Sequence, residues 1–233
     1  YNVHYFTDLL AALSNVQNVL NDVRVMNGDV MLFQEVLTDT NNGDRKAFDA
    51  GLDAQGYKWR YFAHGPGAFL GNMIASKYPL SKTKTFDLGY TRVMVEAAVP
   101  IANGDEITVF ATHWENSDQA ARNQQSKATV DYFNKKGGAN MGKFILGADF
   151  NAHYKSPAIQ GLLSTNYMNI SFNQLHWHMP DYTCWAGHPI DFLFAGNDAR
   201  NNVVGTYVYH TLSSDHLPVI IDLDLQPVKG NVA

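Results

Sequence analysis

The stretch Lys143-Phe144-Ile145-Leu146-Gly147-Ala148-Asp149-Phe150-Asn151 decides the reading of this chain. Lys143–Leu146 reads as a short buried strand, and it leads to a carboxylate and then a carboxamide. Strand ends along one edge of a sheet are where residues far apart in sequence converge into a pocket. In extended backbone alternate residues face the same way, so Asp149 and Asn151 would share a side. One could handle a proton while the other donates its amide hydrogens to a phosphate oxygen. An Asx turn at a strand end accounts for the same letters with no chemistry at all.

The pattern repeats outward in both directions. Tyr1-Asn2-Val3-His4, Phe33-Gln34-Glu35-Val36, Thr112-His113-Trp114, Ile190-Asp191-Phe192 and Ser214-Asp215-His216-Leu217-Pro218-Val219 each set polar groups at the end of an apolar, β-branched or aromatic run. Tyr1–Phe6 reads as the end of a strand. Leu9, Leu13, Val16, Leu20 and Val23 recur at three or four residues, which predicts a helix over 8–26. Val30–Phe33 is a buried strand with Glu35 at its end, and Phe48–Leu52 lies in a second helix closed near Gly56. Trp59–Ala63 and Asn72–Ser76 are strands flanking a Gly65-Pro66-Gly67 turn. Val93–Val99 and Ile107–Ala111 join through Asn103-Gly104-Asp105. Residues 117–135 read as a helix with Ala120, Ala128, Val130, Tyr132 and Phe133 inward, and 157–163 as a short one. Ile190–Phe194, Val203–Tyr209 and Val219–Leu223 complete the strands. Strand-rich stretches with few helices suggest a two-sheet sandwich, one α+β domain over residues 1–233.

The 233 residues are 45% hydrophobic and 17% charged, ordinary for a globular domain. A formal charge of −5 gives no broad basic surface and argues against bulk phosphate-backbone binding. Cys184 is alone, so no internal disulfide forms. No apolar run reaches a membrane span. The chain starts at Tyr1 inside what reads as a strand, so that strand is expected to be truncated. Processing of a secreted precursor would give such a start.

Carboxylates, amides and imidazoles together point to a divalent cation and a phosphate ester. A carboxylate after four buried-type residues, as at Glu35, needs a partner or a metal. Mg²⁺ prefers one or two carboxylates, with waters and substrate oxygens filling the rest. Glu35, Asp215 and the amide oxygen of Asn2 would make such a site, with Mn²⁺ or Ca²⁺ as substitutes. No Cys/His set has zinc spacing. Asp191 beside His216 would keep that imidazole protonated to higher pH, ready for a phosphate oxyanion.

Together the groups resemble the endonuclease/exonuclease/phosphatase superfamily, from Asn2 to about Asp222. The resemblance implies a four-layer α/β/β/α sandwich, two packed mixed β-sheets with helices outside. It implies Glu35 as principal metal ligand, with Asn2 and Asp215 on the metal side. It implies His113 and His216 on the phosphate, Asp149 on the water or leaving group, Asn151 as a transition-state donor, and Asp191 as partner of His216. Arg92, Asn72 and Trp185 are the candidate substrate contacts, Arg92 with a surface salt bridge as its alternative.

Two departures stand out. The family's Gly-Asp-Phe-Asn carries an extra Ala148 here, for which a small bulge is expected. The glutamate that supports the His113 position in deoxyribonucleases has no match around Gly71-Asn72-Met73. Thr112-His113-Trp114-Glu115-Asn116 is similar to a Thr-His-Leu-Glu stretch of other branches, and Arg122 and Gln125 are expected to anchor their helix to the sheet. His176-Trp177-His178, with Tyr182 and Trp185, would be a packed loop, or an aromatic surface for bases or lipid. The expected activity is Mg²⁺-dependent phosphoester hydrolysis by a monomeric nuclease or phosphodiesterase. Phospholipid or phosphomonoester substrates, with peripheral membrane contact, and a non-catalytic scaffold are the alternatives.

Overall fold

Helices in this chain begin where a side chain can satisfy their first N–H groups. Asn42 accepts from the amides of Asp44 and Arg45, Asp118 from Ala120, and Ser156 from Ile159 with Pro157 in the first turn. The computed structural model describes residues 1–7 and 14–225. Along it run α1 (Val16–Met26), β1 (Val30–Leu37), α2 (Gly43–Ala54), β2 (Trp59–Ala63), β3 (Leu70–Ser76) and β4 (Ser81–Gly89). Then come β5 (Arg92–Pro100), β6 (Glu106–His113), α3 (Gln119–Lys135), β7 (Phe144–Asp149), α4 (Pro157–Leu163) and β8 (Met168–Ile170). The chain closes with α5 (Ser171–Gln174), β9 (Asp191–Gly196), β10 (Val203–Val208) and β11 (Val219–Leu223).

Three apolar layers separate four structural ones. Six strands in the order β4-β5-β6-β7-β9-β8 form one sheet, antiparallel except for the parallel β6–β7 pair. Opposite it lie β1-β3-β2 and the β10–β11 pair. Val95, Val109, Ile145 and Ala195 meet Ile74, Leu32 and Ile221 between the layers. Phe110, Phe144 and Leu146, on the other face of the six-stranded sheet, pack with Phe133 and Ile159 of α3 and α4. Val19, Leu20, Phe48 and Leu52 of α1 and α2 pack on Phe33 and Met73. This is the α/β/β/α order.

An apolar cleft of about 560 Å³ opens between β1 and β11, lined by Leu32, Val109, Ile145, Leu193 and Ile221 among others.

The details amend several sequence expectations. Asn2 makes only an isolated parallel bridge to Gln34, and His4–Phe6 is a tight turn with φ of 45°, 40° and 61°, so the first residues are not a continuous strand. The helix predicted over 8–26 begins at Val16; Leu9 and Leu13 lie outside the described residues. Ala120 is exposed, and the buried face of α3 is Ala121, Gln125, Ser126, Thr129 and Phe133. β7 runs without a bulge: Ala148 pairs in register with Thr112 and Phe192. Gly147 faces the second layer, where a Cβ would meet Leu32 Cδ1 at 2.6 Å, and Ala148 simply takes the opposite face. β4 escaped the sequence reading because it is an edge strand whose only buried residue is Leu88.

Candidate active site

Strand register sets the site. His113 at the end of β6 pairs with Asp149 at the end of β7, which pairs in turn with Asp191 at the start of β9. Three chemical side chains thus stand in one row across the sheet. Glu35 comes to them from the facing layer through an irregularity: the β1–β3 register shifts between Phe33 and Val36, and Glu35 has φ 59°. It therefore lies inside a strand, at a bulge, and not at the strand end. A left-handed residue with a Cβ costs about 1–2 kcal/mol, and bulges re-aim side chains beside active sites.

Asp149 is the centre. Its Oδ2 accepts from Asn2 Nδ2 at 3.0 Å and lies 3.5 Å from His113 Nε2 and 3.6 Å from His216 Nε2. Asn2 Nδ2 also donates to Glu35 Oε1 at 2.9 Å, while Asn2 Oδ1 accepts from the His4 amide at 3.0 Å. Asn2 thus turns its donor, not its oxygen, toward the carboxylates. The amide-oxygen ligand expected from the sequence is already engaged by backbone. Asn151 reaches the site through an Asx turn: its amide donates to Asp149 Oδ1 at 2.9 Å and its φ is 49°. The extended alternation expected for Asp149 and Asn151 is therefore replaced by a turn that still brings both side chains together.

His216 is buried, with Nδ1 2.9 Å from Asp191 Oδ2. Burial alone would lower its pKa, but Asp191 and Asp149 outweigh that and push it up to about 11. His113 goes the other way. Burial, with the charges of Arg92 and His216, outweighs the pull of Asp149 and lowers it to about 4. Burial also raises the Glu35 carboxyl above its usual range.

Two supports were not legible in sequence. Thr183 Oγ1 donates to Asp191 Oδ2 at 2.7 Å and accepts from the amides of Ile190 and Asp191. Ser214 Oγ donates to the Asn2 carbonyl at 2.8 Å and accepts from the His216 amide at 3.2 Å. Only the fold brings these pairs together, and no local pattern marks them.

The remaining candidates are placed as follows. Asp215 stands 3.9 Å from His4 Nε2 and 3.3 Å from Ser214 Oγ, outside the tight Glu35–His113–Asp149 group. Arg92 touches His113 and Glu115. Asn72 is buried and ties β3 to the Val93 carbonyl, with its own Oδ1 unpartnered. Trp185 donates its backbone N–H to the Asp215 carbonyl and is about half exposed, as are Trp177, edge-on to Tyr207, and Tyr182, edge-on to His210. Arg122 and Gln125 do anchor α3, to the segment after β6 through Glu115 and Asn116.

The donor set fits a divalent cation. Atoms of Glu35, His113 and Asp149 lie within 4.8 Å of one another, and so do atoms of Asp149, Asp191 and His216. Buried carboxylates in this number need more positive charge than His216 supplies. Oxygen donors of this kind suit a hard cation.

Comparison with solved structures agrees with the fold. The human Nocturnin catalytic domain with bound sulfate superposes with a TM-score of 0.78 at 20% identity, covering 93% of this chain and 89% of that one. Truncated Caenorhabditis elegans TDP2 gives 0.70 at 17% identity over 94% and 92%. The Bacteroides thetaiotaomicron mannosyl-6-phosphatase Bt3783 gives 0.67 at 14% identity over 90% of each chain. A search of curated proteins finds no match. The family model that matches covers residues 1–216, the span from Asn2 to His216 on which the row of acids and imidazoles is built. This chain belongs to the Endonuclease/Exonuclease/phosphatase family.

Proposed function

We propose that this protein is a Mg²⁺-dependent phosphoester hydrolase of nuclease or phosphodiesterase type, acting by in-line attack of water. The observation that carries the reading is Asp149, buried, held by Asn2 and flanked by the Nε2 atoms of His113 and His216. Glu35 would hold the cation, with Asp215 on its outer side. When bound, Mg²⁺ would supply Lewis-acid polarisation of the phosphoryl oxygens.

The chain's own groups do the rest. Asp149 accepts the proton of the attacking water. His216, kept cationic by Asp191, faces the charge that grows on the phosphoryl oxygens, and His113 and Asn151 add hydrogen bonds to it. Trp185, at the exposed rim beside Asp215, offers a face for a base or another ring.

Nicking of supercoiled plasmid with Mg²⁺, against EDTA and Asp149→Asn, tests the reading. Metal-dependent nicking lost in the variant supports it. Folded, Mg²⁺-loaded protein that leaves plasmid intact excludes a DNA endonuclease and moves the substrate to lipid or small phosphoesters. Exposed Trp177, Trp185 and Leu212 favour a phospholipid substrate as the second reading. Sedimentation with anionic and neutral liposomes, with and without Trp177→Ala, separates it.

A further inference from the structure

Arg92 opens β5 beside the end of β6, and each of its three guanidinium nitrogens meets a neighbour. Nη1 is 3.0 Å from His113 Nδ1, while Nε and Nη2 each lie 3.5 Å from Glu115 Oε2. Glu115 is itself fixed: its Oε1 accepts from Ser117 N and Oγ, and its amide donates to the fully buried Gln125. The guanidinium is thus clamped in place from behind.

A guanidinium has donors only and does not lose its proton in a protein. His113 thus faces a donor at each ring nitrogen, Arg92 Nη1 at Nδ1 and Asn151 Nδ2 at Nε2, each at 3.0 Å, and a neutral imidazole accepts at only one. The charged guanidinium makes the stronger bond, which puts the lone pair on Nδ1 and the ring proton on Nε2. That nitrogen points into the site, 3.5 Å from Asp149 Oδ2 and 3.9 Å from Glu35 Oε1. Asn151 Nδ2 lies 3.0 Å from the same Nε2 while donating to the Trp114 carbonyl. With the ring proton on Nε2, Asn151 Nδ2 and His113 Nε2 are two adjacent donors that cannot satisfy each other, and an oxyanion could accept from both.

We propose that Arg92 is a positioning residue that locks His113 as the Nε2–H tautomer, making it, with Asn151, a donor pair for a substrate oxyanion. The two site histidines are then specified by opposite partners at Nδ1. Asp191 accepts at Nδ1 of His216, and Arg92 donates at Nδ1 of His113. This also explains how the His113 position is supported with no glutamate near Asn72. The role given to the donor pair rests on the phosphoester reading; the tautomer does not.

The test is imidazole ¹⁵N spectroscopy of the metal-free protein, which needs no turnover. Wild type should show His113 Nε2 protonated and Nδ1 not. Arg92→Met should give a mixture or the reverse tautomer, and Arg92→Lys, which keeps charge but loses the fork, should fall between. If Arg92→Met does not fold, Glu115→Gln loosens the same clamp from behind and should shift the same resonances. A wild-type ring protonated at Nδ1, or rings unchanged in folded Arg92→Met, overturns the proposal. On a cleavable phosphodiester Arg92→Met should lower kcat about tenfold to a hundredfold, the size seen when a supporting partner is lost, with less change in KM. A loss confined to KM would make Arg92 a substrate contact and overturn the positioning role. Protein inactive on phosphoesters that still shows the Arg92-dependent tautomer would sink the hydrolase reading and keep this one.

Discussion

Asp191 holds His216 with both carboxylate oxygens near one ring nitrogen, Oδ2 at 2.9 Å and Oδ1 at 3.1 Å from Nδ1. The pair fixes ring orientation and charge together. Asp191→Asn should keep the shape and lose the charge, lowering turnover by roughly two to four orders of magnitude. Single-turnover kinetics with the circular dichroism spectrum as a control for folding checks this.

The same pair makes stability depend on pH. His216 titrates at about 11 in the fold against 6.5 for a free imidazole. A raised pKa means that its stabilisation is complete below pH 6.5 and declines as the pH climbs toward 11. In metal-free protein, the gap in urea midpoint between wild type and Asp191→Asn should be wide at about pH 6 and narrow at about pH 10. A gap independent of pH would show that Asp191 stabilises the fold by some other means.

Glu35→Gln keeps the hydrogen bond from Asn2 and removes one negative charge from the acid cluster. Mg²⁺ should then raise the melting temperature of the variant much less than that of wild type, since ligand stabilisation follows affinity. Calorimetric titration with Mg²⁺ gives the same answer directly. Equal binding by both proteins would move the cation away from Glu35.

Thr183→Val removes the hydroxyl that joins Asp191 to the amides of Ile190 and Asp191. All of this is buried or nearly so, and the orphaned groups should cost about 1–3 kcal/mol. Urea unfolding measures that cost. Turnover should fall as well, because Asp191 loses its orientation.

Gly147→Ala places a methyl group 2.6 Å from Leu32 Cδ1 and 2.7 Å from Leu193 Cδ2. Overpacking of this kind costs about 1–3 kcal/mol. Differential scanning calorimetry should show the loss, with metal binding at Glu35 retained.

The row of His113, Asp149 and Asp191 was readable because each residue ends or begins an apolar strand, and strand ends are where the sheet presents side chains. β2, α4 and β11 were readable to the residue, since their apolar runs are short and sharply bounded. Glu35 illustrates what local pattern hides. Its position inside β1 depends on a positive φ, and no rule of alternation signals that at a glutamate. Arg92 and Thr183 show a different limit. Each acts through a partner 21 or 8 residues away, and residue type alone does not say which donor meets which acceptor. β4 failed for a third reason, an edge strand buries too little to carry a hydrophobic period.

Where β1 and β11 face each other, each has a ladder partner on its far side only, β3 and β10, apart from the short pairing of Tyr1–Val3 with β1. The apolar cleft lies between these two strand edges. Surfaces of that kind are where one chain adheres to another, and a net charge of −5 over 233 residues gives only modest repulsion against it. The seam reaches the row of acids and imidazoles, since Asp191 and Leu217 line it beside His216. Whatever packs into this seam therefore bears on the Asp191–His216 pair, and adhesion and site geometry are coupled in this chain.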